Sequence, residues 1–175
     1  MNYFQFFGLE EKFNLDTERL AQVYQKLQRS VHPDRFAHAS SQEQMLAVQK
    51  SSMINDAYQS LKNPLKRAEY MLTLRGTEMP NEQASFKDNM FLMRQMELRE
   101  MLAEVKFADD IDAAIFEATQ VLEIEFEGLF KTMQTQLAEN TNEANQLASE
   151  NLRKLKFYQK LHLELDRLED LLFET

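Results

Sequence analysis

At 175 residues the chain has room for one ordinary domain or two small ones. Its net charge of -9 argues against a nucleic-acid binder, whose phosphate partner needs a basic surface, and the lack of cysteine excludes disulfides, thiolate metal sites and cysteine nucleophiles. Three Gly and three Pro leave few tight turns for a β-rich fold, and helix formers dominate, so the composition predicts an all-α protein.

In chain order, Asn2–Phe7 reads as a short aromatic helix stopped by Gly8. Asp16-Thr17 can cap a helix from about Glu18 to Val31, because a side-chain oxygen there accepts an otherwise unpaired backbone N–H. Pro33 lacks a donor and disfavours helix at His32, so the helix ends there. A loop through Ser40 and Ser41 leads into a helix from Gln42 to Lys62, which Asn63-Pro64 ends; Leu65–Leu74 continues at helical spacing. The sequence RGTEMPN (Arg75–Asn81) loses periodicity and carries Gly and Pro, the marks of a linker.

Three long helical stretches follow, about Glu82–Lys106, Asp109–Leu137 and Asn142–Glu174, with Asp109-Asp110 and Thr141 or Asn142 as caps. Short loops between them predict an antiparallel three-helix bundle. In the last helix Leu161, Leu165, Leu168 and Leu172 form a core stripe. The division expected is therefore 1–75, a linker at 76–81, and 82–175. Residues 1–76 hold ten Lys/Arg against eight Asp/Glu, whereas 77–175 hold ten against twenty-one, which suggests two surfaces for two partners.

The first candidate surface is His32-Pro33-Asp34 between two amphipathic helices. Leu20, Tyr24, Leu27 and Val31 share one face of the preceding helix; Gln22, Lys26 and Arg29 lie opposite, and Arg35 extends that side past the turn. Such a face is commonly a solvated one, and Glu18 dilutes its charge, but here it ends at the tripeptide, where one flat partner could touch both. As a bare helix stop the tripeptide would carry no function. The arrangement resembles a J-domain, with YFQFFGL (Tyr3–Leu9) similar to its first helix and INDAYQSLKNPLKRAEY (Ile54–Tyr70) to its third helix and the segment beyond. That resemblance implies a non-enzymatic activator of an ATP-driven chaperone, contacted through His32, Pro33, Asp34, Gln22, Lys26, Arg29 and Arg35.

The second candidate surface lies in the acidic half. Phe91, Gln95, Leu98, Leu102 and Val105 cluster within a narrow arc, the expected core stripe. Leu92, Met93 and Met96 point the other way and share their arc with Glu97, Glu100 and Glu104. Either the helix packs two neighbours, with Met filling gaps, or this is an exposed apolar patch rimmed by acids; three carboxylates are costly to bury unpaired. The whole chain resembles the HscB family of iron–sulfur cluster co-chaperones, with FLMRQMELREMLAEV (Phe91–Val105) similar to its scaffold-binding helix and RKLKFYQKL (Arg153–Leu161) to its last helix. The resemblance implies an HscA-type chaperone on the J-domain and an IscU-type scaffold on the bundle, held by Leu92, Met93, Met96, Glu97, Glu100, Glu104 and Phe157. Met96 stands where Leu is usual, and Phe157 shares the stripe of Leu161, which is also a core position. Without a cysteine module the chain resembles the bacterial form.

His32, His38 and His162 are too scattered for a metal site, no Gly-rich phosphate loop is present, and no carboxylate pair or serine sits in a catalytic context, so neither enzyme nor cofactor is expected. No apolar run is long enough to span a bilayer, and MNYFQFFGLEEKF lacks the features of a signal or transit peptide; cytoplasmic is the expectation. Two other readings stay open: a J-protein for a general DnaK-type chaperone with another client, and a helical adaptor without chaperone activity.

Overall fold

The computed structural model describes residues 1–81 and 83–174; Glu82 and Thr175 lie outside the described residues. Among the described residues there are seven α-helices, two short 3₁₀ turns and no strand, as an all-α chain requires. The chain divides into two compact units, Met1–Gly76 and Thr77–Thr175.

The first unit holds α1 (Tyr3–Phe6), α2 (Thr17–Ser30), a 3₁₀ turn (Pro33–Phe36), α3 (Ser41–Lys62) and α4 (Pro64–Leu74). Each start is set by a side-chain cap. Asn2 and Gln5 form a reciprocal capping box, Asp16 accepts from the N–H groups of Glu18 and Arg19, Ser40 from that of Glu43, and Asn63 from those of Leu65 and Lys66. Pro64 then occupies the first helical position, where no donor is needed. Gly8 and Gly76 take left-handed conformations that end α1 and leave α4.

Leu20 of α2 and Val31 at its C-terminal cap are buried and Tyr24 and Leu27 half-buried, so the predicted stripe faces the core. α2 packs on α3, where Ile54, Ala57 and Leu61 are buried, and Ala68, Met71 and Leu72 of α4 are buried in the same unit. Tyr24 stacks on Tyr58 at 4.0 Å, and the Ser51 hydroxyl donates to Gln28 Oε1 at 2.8 Å, fixing α2 against α3. At the opposite end Tyr3 stacks on Tyr70 at 4.5 Å, and the Tyr3 N–H donates to the Tyr70 hydroxyl at 2.9 Å. Arg67, only 5% exposed, donates from Nη1 to the Leu61 carbonyl at 2.7 Å and lies over the Phe13 ring. Burial holds this guanidinium below its ordinary pKa.

The second unit holds α5 (Asn89–Glu104), a 3₁₀ turn (Val105–Phe107), α6 (Ile111–Glu139) and α7 (Asn142–Phe173). Asp110 and Thr141 cap α6 and α7, and Asn140 in the left-handed region closes α6, so the chain reverses within two residues. The core takes Phe91, Leu98, Leu102 and Val105 from α5, Ile115, Ala118 and Leu122 from α6, and Phe157, Tyr158, Leu161 and Leu165 from α7. Gln95, which the sequence places on this stripe, is half-buried.

The start of α5 corrects the sequence expectation, which begins this helix at Glu82. The described residues 83–88 are non-helical, and Asp88 caps α5 by accepting from the Phe91 N–H at 3.2 Å. The cause is tertiary. Phe86 packs edge-on to Phe91 with centroids 4.7 Å apart, the Arg153 guanidinium lies 4.0 Å over the Phe86 ring, and Lys154 Nζ donates to Asp88 at 2.9 Å. The Lys154 bond and, next, the Phe91 N–H hold the Asp88 carboxyl below its ordinary pKa. A depressed carboxyl pKa contributes stability above the ordinary carboxylate range, lost as pH falls through the lower folded value. Asp88→Ala is therefore expected to lower the thermal midpoint at pH 7, with the gap from the parent protein shrinking toward pH 3 in circular-dichroism melts.

Candidate functional site

The first site forms at the α2–α3 connection. The polar face of α2 presents Gln22, Lys26 and Arg29 to solvent, and His32, Pro33, Asp34 and Arg35 are exposed just beyond it. Two backbone bonds tie the tip down: the His32 N–H donates to the Arg29 carbonyl at 3.4 Å and the Arg35 N–H to the His32 carbonyl at 3.0 Å. Pro33 opens the 3₁₀ turn, its fixed φ suited to that position.

His32 Nδ1 accepts from the Asp34 N–H at 3.2 Å and also lies 3.6 Å from the Asp34 carboxylate. One nitrogen cannot accept from the amide and donate to the carboxylate at once. The amide contact has the shorter distance, and in it Nδ1 is the acceptor. The imidazole thus caps its own turn while the Asp34 carboxylate remains open to a partner. The tip presents His32, Pro33 and Asp34 on a hydrogen-bonded turn.

Beside it, a cleft of about 870 Å³ runs between α2 and α3, lined by Tyr24, Val31, Pro33, Phe36 and Val48 among others. Val48, with Met45 and Leu46 earlier in α3, leaves large apolar side chains exposed near the tip. Sequence reasoning did not single these out. The available signal was that Met45, Leu46 and Val48 fall off the stripe made by Ala47, Ile54 and Leu61.

The second site is the outer face of α5. Met93 and Met96 are 64% and 74% exposed, Leu92 is half-buried, and Glu97, Glu100 and Glu104 are exposed. Six of the seven candidate positions therefore share one side of one helix, apolar and acidic together. Phe157 does not join them. It is 9% exposed, its ring edge-on to Phe91 at 5.8 Å and covered by the Arg99 guanidinium at 5.6 Å, which places it in the core.

Cross-helix ion pairs hold this face in place. Arg94 Nε donates to Glu125 of α6 at 2.7 Å while Nη1 donates to Glu97 at 2.8 Å, and Arg99 donates to Glu164 of α7 at 2.9 Å. Glu125 and then Glu97 hold the Arg94 pKa above its ordinary value. Tyr158, between them and the core, is pushed up to about 12, first by burial and then by the Glu125 charge. The Arg94–Glu125 and Arg99–Glu164 pairs connect residues about thirty or more positions apart, so no local pattern announces them. Among the described residues no three His, Asp or Glu side chains come together to hold a metal, and no helix is long and apolar enough to cross a membrane.

A DnaJ domain family matches residues 2–70, and the HSCB C-terminal oligomerisation domain family matches residues 87–166. The "Co-chaperone protein HscB homolog" of Colwellia psychrerythraea is 60% identical over 174 residues, covering 99% of both chains. The chain belongs to the HscB co-chaperone family. A second family member, from Shewanella halifaxensis, is 48% identical over 99% of this chain and all of its own. Among solved structures, the chaperone HscB from Vibrio cholerae superposes with a TM-score of 0.88 at 43% identity, covering 99% of this chain and 100% of its own. The human co-chaperone HscB superposes with a TM-score of 0.87 at 30% identity over 97% of this chain and 82% of its own. The family resemblance read from the tripeptide, the flanking motifs and the acidic helix agrees with all of these matches.

Proposed function

We propose that the chain is a non-enzymatic co-chaperone of iron–sulfur cluster biogenesis, working in the cytoplasm. Residues 1–75 stimulate ATP hydrolysis by a specialised HscA-type chaperone, 76–81 link, and 82–175 carry an IscU-type scaffold to it. The observation that carries this reading is the presence, in one chain, of a preorganised His32-Pro33-Asp34 tip and a separate exposed face of Leu92, Met93 and Met96 flanked by carboxylates.

Each surface has a defined task. The tip, with Gln22, Lys26, Arg29 and Arg35, binds the hydrolysis-competent state of the chaperone better than its resting state, and that difference alone shifts the population. The α5 face buries Leu92, Met93 and Met96 against the scaffold, while Glu97, Glu100 and Glu104 meet its basic groups and set orientation. Phe157 supports the face from the core beneath it. Joining two modest surfaces in one molecule raises the effective concentration of scaffold at the chaperone, so that delivery and activation coincide.

The rival of a general J-protein is tested by steady-state ATPase assays with a specialised HscA-type and a general DnaK-type chaperone in parallel. Stimulation confined to the specialised chaperone is expected. Equal stimulation of both, with no scaffold binding, would assign the chain to the general class.

A further inference from the structure

On the flank of α5 that faces α6, a groove of about 710 Å³ runs down to the 3₁₀ turn at the end of α5. Its floor is apolar, and the hollow stays open because α6 contributes Ala114 and Ala118 where larger side chains would fill it, beside Met101, Val105 and Val121. Its walls are acidic. Glu97, Glu100 and Glu104 line it from α5 and Glu117 from α6, and Glu100, Glu104 and Glu117 form no ion pair among the described residues. At its end stands Phe107, 77% exposed, with the Lys106 ammonium over its ring at 5.1 Å. An apolar floor, a phenyl lip and unpaired carboxylates are together the complement of a basic segment carrying an apolar side chain.

Resting on the scaffold reading above, we propose that the scaffold surface continues past the outer face of α5 into this groove. There Phe107 and Glu117 hold a Lys/Arg-bearing segment of the scaffold with an apolar anchor. Continuity supports it: Glu97, Glu100 and Glu104 belong to both the outer face and the groove wall, so a partner seated on Met93 and Met96 already borders the groove. Charge selects the occupant. The matching family's description as an oligomerisation domain makes a second copy the rival. But residues 77–175 carry ten Lys/Arg against twenty-one Asp/Glu, so a second bundle would set acid against acid. The groove thus adds both contact area and a specificity filter, since a scaffold without basic residues at this position would lose the charge match.

The test is calorimetric titration of an IscU-type scaffold into the full chain and into Phe107→Ala and Glu117→Lys, at low and high salt, beside Leu92→Ala/Met96→Ala. Positions 107 and 117 are exposed, so helical content should not change. Each groove variant is expected to weaken binding about tenfold, with Glu117→Lys also flattening the salt dependence. Parent-like affinity in both groove variants, while Leu92→Ala/Met96→Ala binds poorly, would overturn the groove and leave the scaffold reading standing. No scaffold binding by the parent chain would overturn both. A change in sedimentation of the groove variants alone, with scaffold affinity intact, would assign the groove to a second copy instead.

Discussion

With Gln in place of His32, the chaperone's ATP hydrolysis is expected to fall back to its unstimulated rate, while scaffold affinity and helical content stay unchanged. The reason lies in the turn itself. His32 Nδ1 accepts from the Asp34 N–H at 3.2 Å, which orients the ring and leaves the Asp34 carboxylate open. A Gln side chain has one more freely rotating bond and no ring to hold that geometry, so the contact is no longer preorganised. A contact that favours one chaperone state by about 2 kcal/mol changes its population about thirtyfold, and losing that bias removes the stimulation. The fold does not depend on the position: His32 is exposed, and Ser40, not His32, caps α3. If the tripeptide were only a helix stop, the variant would leave the ATPase rate of every partner untouched.

Leu92→Ala combined with Met96→Ala is expected to weaken scaffold binding about a hundredfold, as read by calorimetry, because truncating two central apolar contacts costs about 1–2 kcal/mol each. Stability should change little. Met96 is 74% exposed and Leu92 half-buried, whereas the core of α5 rests on Phe91, Leu98 and Leu102, which are untouched. An exposed substitution such as Met96→Ala typically falls within about 0.5 kcal/mol, and Leu92 lies outside the core cluster. Loss of helicity in step with binding would instead show that Leu92 and Met96 hold the bundle together. Phe157→Ala provides the contrast: it should destabilise the bundle outright by about 3–5 kcal/mol, because its ring fills the core against Phe91.

What could be read from the sequence was what local chemistry decides. Asp16, Asp110 and Thr141 are caps in the structure because an N-cap acts over two or three residues, and a reader sees all of them at once. The separation of Met93 and Met96 from Phe91 and Leu98 followed from helical periodicity in the same way. The start of α5 was not legible, because it depends on Phe86 meeting Phe91 and Arg153, and on Lys154 reaching Asp88 from α7. Nor was the Arg94–Glu125 pair, or the groove that Ala114 and Ala118 leave beside α5. Small side chains on one helix become a hollow only when a second helix is laid against them. Phe157 marks the boundary between the two kinds of knowledge: family likeness placed it among the contact residues, periodicity placed it beside Leu161, and the structure buries it there.

The most direct test of the two-surface coupling is the steady-state ATPase rate of the HscA-type chaperone with the chain alone, with the scaffold alone, and with both. A rate with both that exceeds the sum of the separate increments is expected, because the chain then brings scaffold and trigger to one chaperone together. A merely additive rate, or none above the chaperone's own, would contradict it.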